Sequence, residues 1–256
     1  MKSLVCYKWV LDEADIVVDT ESKTLKTDKA KQKISEYDRN AIELAATLND
    51  KFDIPAESLT IGKNVAASTK DVLARGIDKA YYVEAENLDS RAAAKVIAET
   101  VKKIGGVDLI ICGEGSGDQY SQQVGPRVAA LLDYNLATYV SSFTIEGEVF
   151  SVERKLEDGI EKLNIEGPTV VTVLSEINTP RIPGMKQILS AKKKPTEEIK
   201  LEDLGLAADQ LAANNVVEKV GPSIQDRKQI RINEGNESAQ EAAKKLVETL
   251  KANKDI

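Results

Sequence analysis

The sequence predicts an α/β fold with a doubly wound, mainly parallel β-sheet covered by helices on both faces. Over residues 1–132, short apolar segments typical of buried strands alternate with amphipathic segments typical of helices. The strand-like segment 107–112 runs into a glycine-rich loop, 113–120, and a helical pattern follows over 121–132. In α/β proteins this order holds phosphate at a helix N-terminus, because glycines let the anion approach backbone amides.

The elements before this central unit can be assigned in chain order. Segment 4–10 is almost continuously apolar, as expected of a buried parallel strand. Segments 16–18 and 24–25 bracket a polar tip and are typical of a small hairpin. Ser35 is expected to be the N-cap of a helix that carries Asp38 in its first turn. The other expected elements are strands 58–61 and 79–83 and helices 66–74 and 91–104.

The pattern changes after residue 132. Short alternating segments, separated by glycine or acidic turns, indicate hairpins that join or extend the sheet. These segments are 139–145, 148–154, 159–165 and 169–174. Prolines and a glycine then interrupt the chain over 180–184. We therefore divide the chain into an α/β domain, 1–194, and a C-terminal arm, 195–256, with a last helix at 238–252.

The glycine-rich loop matches neither of the common phosphate-binding motifs. No lysine follows its last glycine, which excludes the loop of P-loop ATPases. Gly113, Gly115 and Gly117 are spaced G-x-G-x-G, whereas the dinucleotide fingerprint is G-x-G-x-x-G. Taken alone, the loop fits a nucleotide site and a simple crossover loop equally well.

Composition narrows the functional classes. The chain has 256 residues, of which 42% are hydrophobic, enough for one good core and an appendage. Lys and Arg number 35 against 42 Asp and Glu, and the net charge of −7 argues against nucleic acid as the main partner. We find no apolar run of membrane-spanning length and no signal-peptide pattern, and expect a cytoplasmic protein.

Cysteine and histidine usage limits the chemistry. Cys6 and Cys112 each lie in an apolar strand pattern, and their spacing suits neither a metal site nor a C-x-x-C pair. We expect both to be buried free thiols. Histidine is absent, which removes Ser-His-Asp and Cys-His catalysis and histidine-ligated zinc. We predict no catalytic side chain and no metal, and any reaction would depend on a cofactor.

Four segments in order, 6–16, 34–43, 113–125 and 177–186, carry a resemblance that covers nearly the whole chain. They resemble the β subunit of electron transfer flavoproteins, in particular the FixA-like subgroup. The resemblance implies a Rossmann-like fold of the adenine-nucleotide-hydrolase type. It also implies a heterodimer with an α subunit that carries FAD, against which the C-terminal arm and its helix would pack. The β subunit of such proteins buries a second adenine nucleotide.

By position, the resemblance places this nucleotide at ends of strands and starts of helices, as expected at the carboxyl edge of a parallel sheet. The implied cofactor-binding residues are Cys6, Ser35, Glu36, Tyr37, Asp38, Thr60, Ile61, Gly62, Gly113, Glu114, Gly115, Ser116, Gly117, Asp118, Gln119, Tyr120, Ser121, Gln122, Gln123 and Val124.

The nucleotide could be FAD or AMP. Electron-bifurcating members, in which a second FAD takes a hydride from NADH, typically read Asp-Gly-Asp-Thr-Ala-Gln-Val-Gly-Pro in this loop. The chain keeps Asp118 and residues 123–126 but departs at 119–122. Members that bind AMP tend to have Thr-Gly-Gln in place of 124–126. The resemblance favours FAD, and AMP is the alternative.

The resemblance also implies a partner-docking segment formed by Pro183, Gly184, Met185 and Lys186. Met185 stands where such proteins present an apolar anchor to a partner flavoenzyme of the acyl-CoA dehydrogenase or reductase type. As an isolated residue Met185 would more often be core, and the lysines at 192–194 would be solvated. A bifurcating member would serve an enoyl-CoA-type substrate and ferredoxin as acceptors.

Two other functions are open at this stage. One is a non-bifurcating β subunit that binds AMP and serves as scaffold for the FAD of the α subunit. The other is a nucleotide-binding signalling domain without a redox role. The docking segment and the C-terminal arm favour a β subunit over a signalling domain, because a free-standing nucleotide sensor needs neither.

Overall fold

In a computed structural model of the chain, residues 1–223, 231–232, 235 and 237–254 are described. Their strands are β1 Ser3–Tyr7, β2 Trp9–Leu11, β3 Val17–Asp19, β4 Thr24–Lys26, β5 Gln32–Ile34, β6 Ala56–Gly62, β7 Lys79–Glu84, β8 Leu109–Gly113, β9 Asn135–Glu146, β10 Val149–Leu156, β11 Gly159–Glu166, β12 Thr169–Val173 and β13 Thr196–Glu198. The α-helices are α1 Glu36–Phe52, α2 Thr69–Ala74, α3 Ser90–Ile104, α4 Val124–Leu132, α5 Met185–Ala191, α6 Ala208–Leu211 and α7 Ala239–Asn253.

A nine-stranded sheet runs through the described part of the chain in the order β11-β10-β9-β12-β8-β1-β6-β7-β13. From β9 to β13 in this order, each strand is parallel to the next one. β10 pairs antiparallel with both β9 and β11. The predicted mainly parallel sheet with added hairpins is confirmed.

Helices cover both faces of the sheet because the central strands are apolar on both sides. Val5 and Tyr7 of β1 pack in a cluster with α1 and α2, whereas Leu4 and Cys6 pack in a second cluster with α3 and α4. Side chains alternate between the faces of a strand, so a strand apolar on both faces must be buried on both. The doubly wound arrangement predicted from the near-continuous apolar runs is confirmed.

The two windings meet between β1 and β8. The chain leaves β1 for α1 on one face and then adds β6, whereas it leaves β8 for α4 on the opposite face. Neighbouring strands whose connections diverge in this way leave a crevice at their carboxyl ends, the usual ligand position in open α/β sheets. The fold thus places the glycine-rich loop at the switch point.

Two predicted elements differ from the structure. The expected strand 4–10 divides at Lys8 into β1 and β2. The amide nitrogen of Lys8 donates to Asp38 Oδ2 over 2.8 Å. β2 then pairs with β5 outside the main sheet. The expected helix over 121–132 begins only at Val124. Tyr120 and Gln122 have φ values of 46° and 56°, in the left-handed region, so a right-handed helix cannot include them.

Other expectations are refined. The hairpin of β3 and β4 is confirmed. The expected helix over 66–74 is a 3₁₀ turn, Val65–Ser68, followed by the shorter α2. Two further elements were not predicted from the sequence: α5, and β13, which adds to the sheet edge beside β7.

Two compact units divide the chain, Met1–Val220 and Gly221–Ile256. In the second, Ser238 caps α7 in a reciprocal pair with Glu241, and the predicted last helix agrees within one residue. Parts of the predicted arm, 224–230, 233–234, 236 and 255–256, lie outside the described residues. The boundary at 194 stays a prediction. No helix in the described ranges has both the length and the apolar character needed to cross a membrane.

Gly125 should be required for the packing of α4 on the sheet. A Cβ at this position would lie 2.5 Å from Cγ2 of Thr172 in β12. We expect Gly125→Ala to lower the free energy of unfolding by about 1–3 kcal/mol, measured by urea denaturation, because the close contact leaves no room for a methyl group.

Gly159→Ala is the matched control, since a Cβ there would meet no atom within 4 Å. Its free energy of unfolding should stay within about 0.5 kcal/mol of the wild-type value. Equal effects of the two substitutions would contradict this account of helix packing.

Candidate functional site

A cavity of about 590 Å³ opens at the carboxyl ends of β1, β6, β7 and β8. Its volume lies in the range of small-molecule sites. One part of the wall is apolar, with Leu59, Leu88 and Ile97, and suits a planar ring. Another part is polar and includes the start of α4, where helix amides and the helix dipole favour an anion. These surfaces fit the two ends of an adenine nucleotide.

Most of the predicted nucleotide-binding residues line this cavity. They are Cys6, Asp38, Ile61, Gly62, Gly113, Glu114, Gly115, Ser116, Gln119, Ser121, Gln122, Gln123 and Val124. The remaining ones do not line it: Ser35, Glu36, Tyr37, Thr60, Gly117, Asp118 and Tyr120. The topology alone brings the first group together from four separate parts of the chain.

Asp38 connects the two strand ends at the switch point. Its carboxylate is buried and accepts hydrogen bonds from the amide of Lys8, over 2.8 Å, and from the amide of Gly113, over 3.1 Å. A Cβ on Gly113 would lie 2.6 Å from Asp38 Oδ1, so only glycine lets this strand end approach the carboxylate. Burial raises the pKa of Asp38 to about 7, although both amide hydrogen bonds act to lower it.

Asp118 holds the glycine-rich loop in place without lining the cavity. Its carboxylate forms an ion pair with Lys8 Nζ at 2.6 Å and accepts hydrogen bonds from Ser116 Oγ and the Gln119 amide. Burial alone would raise the pKa of Asp118, but the hydrogen bonds from Lys8 and Ser116 lower it below its ordinary value. The loop is thereby tied to the end of β1.

A hydrogen bond between Ser35 and Gly117 also joins the glycine-rich loop to the start of α1. Ser35 stands at the N-cap of α1, but its side chain makes no capping bond to that helix. Instead Ser35 Oγ accepts a hydrogen bond from the Gly117 amide over 3.3 Å. The predicted N-cap position is therefore correct, although the hydroxyl accepts from a loop amide and caps no amide of the helix.

Aromatic packing sets the shape of the second half of the loop. The ring of Tyr120 covers Gly115, where a Cβ would lie 2.5 Å from the ring. Tyr120 also packs on Tyr37, with 5.1 Å between ring centroids. Tyr37 and Glu36 line a separate cavity of about 400 Å³ beside the start of α1. Tyr37 and Tyr120 thus pack behind Gly115, which lines the larger cavity.

Residues 85–90, between β7 and α3, form a further part of the cavity wall that no sequence motif predicted. Asp89 caps α3 through the amide of Ala92, and Ser90 Oγ donates to Gln123 Oε1 over 2.9 Å, joining this wall to the start of α4. The position of 85–90 after a parallel strand was the available signal, because carboxyl strand ends share one edge. Thr60, by contrast, is buried below the cavity.

The predicted docking segment lies on the surface. Met185 is 73% exposed and Ile182 is 93% exposed, so the alternative that Met185 is a core residue is wrong. The chain before it is fixed to α1: Arg181 forms a two-pronged ion pair with Glu43, at 2.8 and 3.0 Å. Asn40 Nδ2 donates to the carbonyls of Ser175 and Asn178, each over 2.8 Å.

The lysine run that follows is only partly solvated. Lys192 and Lys193 are exposed, as the general expectation for a charge run suggests. Lys194 Nζ instead donates to the carbonyl of Leu73, in the last turn of α2, and to that of Ile77, just beyond the helix. A cation at a helix C-terminus satisfies carbonyls that lack partners within the helix.

A family model for the electron transfer flavoprotein domain matches residues 23–204, which is more than half of the chain. The chain belongs to the electron transfer flavoprotein family. The match covers α1, the glycine-rich loop and the docking segment, so the resemblance stated from the sequence is confirmed at the level of the family. Membership associates the protein with flavin-based electron transfer and with the partner proteins that such transfer requires.

Asp38 should give the fold a distinct pH dependence. Its pKa is about 7 in the folded protein, against an ordinary value of 3.8, so the folded chain binds a proton that the unfolded chain lacks. Stability should therefore fall as the pH rises from about 4 to about 7. Relative to Asp38→Asn, the wild-type free energy of unfolding should fall by up to about 1.4 kcal/mol per pH unit in this window.

Urea denaturation at several pH values measures this slope. Asp118→Asn is the control. The pKa of Asp118 is lowered, so this group titrates below the window from about pH 4 to about pH 7. Its replacement should therefore leave the pH dependence of the free energy of unfolding unchanged in that window. A wild-type curve parallel to that of Asp38→Asn across the window would show that Asp38 is already ionised.

Proposed function

We propose that this chain is the β subunit of a heterodimeric electron transfer flavoprotein and that its cavity binds an adenine nucleotide. The observation that carries the proposal is the position of the cavity. It lies at the switch point of a doubly wound sheet, between an apolar wall and the start of α4. An adenine ring on Leu59 and Ile97 and phosphates near the helix would use both surfaces.

FAD is the nucleotide that we favour. A bound flavin would supply two-electron exchange with NADH and one-electron exchange with other carriers. The chain itself would bind and orient the nucleotide. Asp38 sets the distance between the strand ends, and Lys8 with Asp118 fixes the loop. AMP is the alternative, supported by the departure of residues 119–122 from the pattern of bifurcating members.

We further propose that the segment Pro183, Gly184, Met185 and Lys186 docks to a flavoenzyme of the acyl-CoA dehydrogenase or reductase type. Exposed Ile182 and Met185 offer apolar area, and exposed Lys192 and Lys193 lie just after α5 in the chain. An anchor that enters an apolar pocket in a partner needs a rigid base, since ordering a loose segment weakens binding. Asn40 and Glu43 provide that base.

The purified αβ complex should release two molecules of FAD per heterodimer on denaturation, as quantified by chromatography and mass spectrometry. One FAD and one AMP would instead support the scaffold function, with redox chemistry confined to the α subunit. Release of a single FAD and no second nucleotide would contradict a nucleotide site in this chain.

Two glycine variants locate the second nucleotide. Gly115→Ala places a methyl group 2.5 Å from the Tyr120 ring. It should lower the amount of the second nucleotide bound per heterodimer at least about tenfold. Gly159→Ala, at the start of β11 and outside the loop, meets no atom within 4 Å and should leave the nucleotide content unchanged. Equal nucleotide content in the two variants would count against the loop as part of the site.

Met185→Ala should weaken docking without changing nucleotide content. Removal of a buried anchor at an interface costs about 1–3 kcal/mol, which corresponds to a rise of about 5- to 150-fold in Kd for the partner flavoenzyme. Ile160→Ala on β11 removes a similarly exposed apolar side chain outside the segment and serves as control. Unaltered electron transfer and affinity in Met185→Ala would contradict the docking role.

A further inference from the structure

Cys6 and Cys112 face each other across the central pair of strands. They are register partners in the parallel strands β1 and β8, and each is the last residue but one of its strand. Neighbouring strands lie about 4.8 Å apart. A Cα separation of this size falls within the range that disulfides span, roughly 4.4–6.8 Å.

Both thiols lie at the floor of the cavity. They belong to the same apolar cluster on the α3 and α4 side of the sheet, and both line the cavity. Cys6 is 7% and Cys112 is 6% exposed. A reagent can therefore reach them through the cavity, and a ligand that fills the cavity would cover them.

The surroundings of Cys112 disfavour its thiolate form. The hydrogen bond with the Cys6 thiol raises the pKa of Cys112, and burial and the nearby Asp38 carboxylate act in the same direction. The thiolate is the species that attacks a disulfide, so a raised pKa slows oxidation without preventing it.

We propose that Cys6 and Cys112 form a reversible dithiol–disulfide pair that controls nucleotide binding in the cavity. This inference rests on the proposed function only for the identity of the ligand. The oxidant class is a small-molecule disulfide. One thiolate attacks it and releases a small thiol, and the second thiol then displaces the other half from the mixed disulfide. The protein loses two protons and two electrons, and the reagent becomes two thiols.

A covalent bond at this place would disturb the site through the backbone. Bonded sulfurs lie about 2.05 Å apart, well inside their non-bonded separation. Gly113 directly follows Cys112, and its amide donates to Asp38. Lys8, two residues after Cys6, donates to the same carboxylate. Drawing the strand ends together would therefore change both bonds to Asp38 and the start of the glycine-rich loop.

The test uses the full chain freed of nucleotide and treated with excess oxidised glutathione. Intact-mass measurement and peptide mapping should show the loss of two hydrogen atoms and a Cys6–Cys112 bridge. AMP and FAD affinities, measured by calorimetry, should fall at least about tenfold after oxidation and recover with dithiothreitol. Protein preloaded with the nucleotide should oxidise more slowly.

Cys6→Ser and Cys112→Ser are the matched controls and should form no internal bridge. Phenylarsine oxide provides a measurement that needs no variant: one molecule should bridge both sulfurs, with release of one water. If neither a bridge nor the arsenic adduct forms, the proposal that Cys6 and Cys112 act as a dithiol–disulfide pair is wrong. If the bridge forms and affinity is unchanged, control of binding is overturned. If reduced protein binds neither AMP nor FAD, the proposed nucleotide site fails, while the bridge still decides the pair.

Discussion

The site depends on one buried carboxylate, that of Asp38. At the switch point β1 and β8 end side by side. The amides of Lys8, which follows β1, and of Gly113, the last residue of β8, extend beyond the β1–β8 pairing, which ends at Cys6 and Cys112. Asp38 accepts a hydrogen bond from each. Buried amides without partners are costly, so this carboxylate makes the abrupt end of both strands possible. The crevice exists because the strands end there and the chain turns away on opposite faces.

Helix α1 connects this crevice to the surface proposed for docking. Its first turn carries Asp38, and the next turns carry Asn40 and Glu43, which hold the chain before Met185. Both sets of contacts arise from one rigid element of 17 residues. The geometry of the cavity and the position of the segment proposed for docking therefore share a single support.

The sequence was sufficient for features that depend on local pattern. Apolar runs such as 107–112 predicted buried parallel strands, and alternation predicted the hairpins of β9 to β11. The break at Lys8 was invisible, because the acceptor for its amide lies 30 residues away in α1. The wall at 85–90 has no motif and follows only from which strands are neighbours. The family resemblance located the glycine-rich loop, whereas its spacing alone left a crossover loop open.

The late start of α4 supports the proposal that the loop belongs to a site and is not a simple connection. Tyr120 and Gln122 adopt left-handed φ values, which are unfavourable for residues with a side chain. Packing of Tyr120 on Gly115 and Tyr37 compensates for this strain. A connection without a role could have continued the helix back to Ser121 at no such cost. The strained backbone instead delays α4, and the helix then begins at the cavity wall, where its free amides favour an anionic group.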